Sequence, residues 1–75
     1  MQRQHLNVNA LTLALELWAE QIRRGMGRPG ESADPDNIEA WLGNRTYQAS
    51  TLNDAAGGDV AALAQVRDEA GLPVL

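Results

Sequence analysis

Leu11, Leu15, Trp18 and Ile22 recur at spacings of four, three and four, and this rhythm commits the first third of the chain to an amphipathic helix. The pattern predicts a helix over about 9–24, with Asn9 as its cap and Gly25 as a left-handed stop. The same four residues form the expected core stripe. Ala10, Leu13, Ala14 and Leu17 lie on the adjoining arc, which leaves Thr12, Glu16, Glu20 and Arg23 as a narrow wet face. An apolar arc this wide needs cover, either from both of the other helices or from another chain. Glu20 stands three residues before Arg23 and four before Arg24, a favourable orientation for helix ion pairs.

Two further helices follow from their start and stop signals. Asp34-Pro35-Asp36 places a capping carboxylate, a proline suited to the first helical position and extra negative charge at one helix start. Ile38, Trp41 and Leu42 form the buried face of that helix. It is expected over 35–52, either ending at Gly43-Asn44 or running on through Arg45, Ala49 and Leu52, which continue the stripe. After Leu52 the run 53–58 favours a turn. Asp59 then caps a third helix to about Ala70, where Gly71 and Pro73 enforce the stop and Leu72 is placed to meet Val66 across the turn. The tail Val74-Leu75 is expected to fold back over the core. The fold class is therefore all-α, a small bundle of three main helices over about 9–24, 35–52 and 59–70.

A chain of 75 residues has room for one core, so 1–75 is expected to be a single domain with a frayed terminus over 1–6 and an exposed loop over 25–33. Twelve of the apolar residues are alanine and none is phenylalanine, so that core is thin. Small thin cores without disulfides are commonly completed by association, and the chain has no cysteine. A homodimer is the expectation. The stretch 1–5 is polar and leads into a helix bearing Glu16 and Glu20, unlike a signal peptide or a membrane span, so the expected address is cytoplasmic with no membrane partner.

Chemistry has little to work with. His5 is the single histidine and lies in the terminal stretch, while Asp34, Asp36 and Asp59 are accounted for by capping and Glu16 and Glu20 by helix solvation. The three glycines and the proline of 25–32 lack the strand and the lysine of a phosphate loop, and no window carries the ligand spacing of a calcium loop. Size, acidity and helicity are similar to those of acyl carrier proteins, yet neither Ser32 nor Ser50 stands in the Asp-Ser-Leu-like setting their prosthetic arm requires. Asn44-Arg45-Thr46 matches a glycosylation tripeptide and no secretion signal accompanies it. No catalytic residue, metal or cofactor is expected.

The favoured reading is a non-catalytic protein-interaction module that docks on a protein partner through Ala10, Leu13 and Leu17, rimmed by Glu16 and Glu20. By analogy of size and composition alone, it is similar to inhibitors and regulators of phage and mobile elements. The alternative rests on the window 35–54, which resembles a helix-turn-helix, with Ile38, Leu42, Ala49 and Leu52 at its apolar positions and Gly43 at the turn. That resemblance implies a DNA-binding transcriptional regulator reading base edges with Arg45, Thr46, Gln48 and Ser50. Glu39 stands where the motif prefers alanine and Asn44 where it prefers an apolar residue. A net charge of −4 also opposes phosphate binding, so nucleic acid is not the expected partner.

Overall fold

A computed structural model describes residues 6–27, 29–45 and 49–74, with the side chains of 44 and 45 outside the description. Among the described residues the chain is all-helical, with α1 Val8–Arg23, α2 Ile38–Arg45, α3 Ala49–Ala56 and α4 Val60–Glu69. A 3₁₀ turn, Pro35–Asn37, leads into α2. The small helical bundle stands, with one helix more than the sequence pattern counts. Over the expected 35–52 region the described residues form two helices, α2 and α3, with 46–48 outside the description; Gly43, the expected place for an end, lies inside α2.

Capping chemistry explains where most helices begin. Asn7, not Asn9, caps α1, its Oδ1 accepting the Ala10 amide at 2.8 Å. Asp34 accepts the Asp36 amide and Asp59 the Ala62 amide, as a short polar side chain ahead of a helix should. α1 and α4 end alike. Gly25 and Gly71 take left-handed φ values of 76° and 73°. The amide after each glycine then reaches back five residues, Met26 to the Gln21 carbonyl and Leu72 to the Arg67 carbonyl, both at 2.9 Å. Contrary to the expected turn at 53–56, α3 runs to Ala56. Alanines are strong helix formers, and Leu52 and Ala55 bury one face while Asp54 points to water.

The core lies on a different arc of α1 from the one the large residues mark. Ala10, Ala14, Leu17, Trp18 and Gln21 are the buried positions, and Leu11, Leu15 and Ile22 flank them half-buried. The two alanines let α3 approach closely, so Leu52 is fully enclosed. Burying a leucine contributes about 1.5–3 kcal/mol. Val66, Ala70 and Leu72 close the same core from α4 and its stop. Leu6 packs against it too, contrary to the expected fraying of 1–6. Residues 1–5 are outside the description. Val74 is exposed, so it does not fold over the core as expected, and Leu75 is not described.

Two buried polar links fasten the parts together. Gln21 is enclosed, and its Oε1 accepts the Trp41 indole N–H at 3.0 Å while its Nε2 donates to the Ala70 carbonyl at 2.8 Å. One side chain of α1 thereby joins α2 to the end of α4. Trp18 stacks on Trp41 with centroids 5.9 Å apart and planes 15° off parallel, an arrangement worth about 0.5–1.5 kcal/mol beyond its area. The Trp18 indole donates to Glu31 at 2.7 Å. The 25–33 segment, expected as an exposed connector, is thus tied to α1.

Candidate docking face

Two concave regions stand out among the described residues. The larger is a cleft of about 790 Å³ between the 26–34 segment and α2, floored by Trp18 and Trp41 and edged by Glu31 and Asp34. Most of its polar groups are bonded within the fold. Glu31 holds the Trp18 indole, Gln21 holds that of Trp41, and Asp34 caps the turn before α2. Both rings are buried, so the cleft is the seam by which loop, α1 and α2 are joined.

The second region lies on the other side of α1, where Leu13 stands between two shallow grooves. One, of about 350 Å³, runs over Thr12 and Glu16 of α1, Ala55 and Ala56 of α3 and Leu63 of α4. The other, of about 380 Å³, is lined by Glu16, Leu17, Ala19, Glu20 and Arg23 along α1, with Arg67 from α4 as its wall. Leu13 and Leu63 are half-buried, and Val60, one turn before Leu63, is largely exposed. Apolar side chains therefore remain open where α1, α3 and α4 meet.

Charge on this face divides into a used part and an unused part. Arg67 grips Glu20 with both terminal nitrogens, each at 3.0 Å, and its Nε donates to the Pro73 carbonyl at 2.7 Å. Arg24 adds a third contact to Glu20 at 3.1 Å, which is the expected i,i+4 pair. These arginines, Arg67 foremost, hold the Glu20 carboxyl below its ordinary range by favouring the charged form. Arg23, also expected to pair with Glu20, makes no ion pair among the described residues. Glu16 makes none either, and both side chains project into solvent. Elsewhere, among the described residues, every enclosed side-chain nitrogen or oxygen has a partner.

Of the five residues read from sequence as a docking surface, the structure brings Leu13, Glu16, Leu17 and Glu20 together at the second groove. Leu17 is almost wholly enclosed at its floor, 2 % exposed. Ala10 is corrected, since it is 0 % exposed and lines neither groove. Arg23, Leu63 and Arg67 belong to the face, and the sequence reading does not include them in it. Arg23 is within reach of that reading, since it stands two turns from Glu16 on one side of the helix. Leu63 and Arg67 are brought in by tertiary packing alone.

The residues of the DNA alternative are less informative. Thr46, Gln48 and the Arg45 side chain lie outside the described residues, and Ser50 is exposed on α3. α3 packs against α1 and α4, and the charge on its outward side is that of Asp54. Among the described residues no three His, Cys, Asp or Glu side chains converge as a metal site, and no helix is long and apolar enough to cross a membrane. No family model, curated protein or solved structure matches this chain.

Proposed function

We propose that this chain is a non-catalytic protein-interaction module that docks through the face centred on Leu13. The observation that carries the reading is the pairing of an open apolar seam with unused charge. Leu13 and Leu63 are left half-covered at a three-helix junction, and beside them Glu16 and Arg23 have no internal ion pair among the described residues. Apolar centres with polar rims are the anatomy of association surfaces. Most polar groups of the larger cleft, by contrast, are bonded within the fold. The resolved carboxyl shift is downward, at Glu20, the opposite of what a general acid near neutral pH requires.

The test is capture of bound protein from a lysate of the source cell, with and without nuclease, by the wild type and by Leu13→Asp. Leu13→Asp would bury an unpaired charge at the interface, costing several kcal/mol, so a bound protein should survive nuclease and be lost with the variant. Circular dichroism must show the variant folded. Prey that disappears on nuclease treatment, or a folded Leu13→Asp that keeps all its prey, would contradict the reading.

A further inference from the structure

We infer that the occupant of this face is a second copy of the same chain, with α1 lying antiparallel on its counterpart so that each Glu16 meets the other copy's Arg23. The inference rests on the docking reading of the same face and names its partner.

The argument starts from symmetry. In a two-fold contact, a residue i that meets j of the second copy is met in turn by its i at j, so a self-pairing helix must carry its own complement. Glu16 and Arg23 are seven residues apart, two helical turns, and therefore project from nearly the same side of α1. They are opposite in sign, exposed, and without an ion pair among the described residues. Antiparallel pairing centred between Ala19 and Glu20 joins both pairs at once. A parallel arrangement would instead set Glu16 on Glu16 and Arg23 on Arg23.

The centre of the contact suits the same geometry. Ala19 is small and lines the groove between the two charges, which lets two helix backbones come close. Glu20, the other residue at the axis, carries its charge already neutralised by Arg67 and Arg24, so its approach to the second copy's Ala19 brings no bare carboxylate with it. Leu13 then lies at the edge of the contact, opposite position 26 of the second copy, just past the end of its α1. A stripe of one sign on α1 would have called for a partner of the other sign. A stripe of both signs, spaced to match itself in reverse, calls for the same helix again.

Sedimentation equilibrium on five samples tests this. The wild type should approach twice the chain mass of 8.1 kDa as its concentration rises toward about 1 mM. Glu16→Arg and Arg23→Glu, each alone, set like charges across the two-fold axis and should raise the dimer dissociation constant about tenfold or more. Mixing the two single variants in equal amounts should restore a dimer. The arginine introduced in one chain then faces the glutamate introduced in the other, and the native Glu16 and Arg23 that remain meet at the second site. The double reversal in one chain should also dimerise within about threefold of the wild type. Both positions are exposed, so the variants should remain folded, and circular dichroism checks it. A wild type that stays monomeric, or single variants that dimerise as well as it does, would overturn the inference. A monomeric wild type whose Leu13→Asp variant still loses a protein prey would remove the second copy and leave the docking reading standing.

Discussion

Replacing Gln21 by leucine should cost more than any comparable change at the surface, because Gln21 is a polar side chain used as a core fastener. Leucine matches its volume and is more apolar, so transfer alone would favour the variant. The hydrogen bonds decide otherwise. The variant removes the acceptor of the buried Trp41 indole and the donor to the Ala70 carbonyl. A buried donor left without a partner costs about 1–3 kcal/mol and the second bond about 1 kcal/mol, against a gain of about 1 kcal/mol from the added apolar surface. The net loss is about 1–3 kcal/mol, or about 4–24 °C in Tm for a domain of this size. Urea denaturation followed by far-ultraviolet circular dichroism measures it. The mechanism is isolated by a cycle with Trp41→Phe, which removes the indole donor. In that background Gln21→Leu should cost about 1–2 kcal/mol less. Equal costs in the two backgrounds, or a variant as stable as the wild type, would refute the argument.

Acid should weaken the molecule partly through Glu20. Its folded pKa lies below 4.5, so the stability it contributes is present in full above that value and is lost as pH falls through the lower folded one. Glu20→Gln should therefore lose less Tm than the wild type between neutral pH and about pH 3, and an identical loss in both would contradict the assignment. Gly71→Ala should cost about 1–2 kcal/mol in urea denaturation, since alanine is strained at that left-handed φ and its Cβ would stand 2.9 Å from the Met26 methyl. Met26→Ala should relieve only the steric part, and Gly71→Ala matching the wild type would count against the helix-stop account.

The helix ends are legible in the sequence because they are local. Asp34, Asp59, Gly25 and Gly71 act within one turn of themselves, and each does what its residue type suggests. The phase of the core on α1 is not legible, because the largest apolar residues mark one arc while packing selects another. Ala10 and Ala14 face inward for being small, and Gln21 faces inward because it satisfies groups 20 and 49 residues away. No pattern within α1 announces either. The end of α2 is less legible for the opposite reason, since Gly43, the one glycine nearby, lies inside the helix and the apolar stripe continues over 38–52. On the candidate face, Leu13, Glu16 and Glu20 can be grouped from helical spacing, whereas the Arg67 grip on Glu20 joins residues 47 apart.

The measurement that bears most directly on the central claim is photo-crosslinking in the cell, with a photoreactive residue placed at position 13 in one sample and at position 50 in another. Both positions lie outside the fully enclosed core, one on the proposed docking face and one on the face a DNA-reading helix would use. The docking account expects a protein adduct from position 13, at about twice the chain mass of 8.1 kDa if the second copy is the occupant, and no nucleic-acid adduct from position 50. A nucleic-acid adduct at position 50 with nothing captured at position 13 would contradict it.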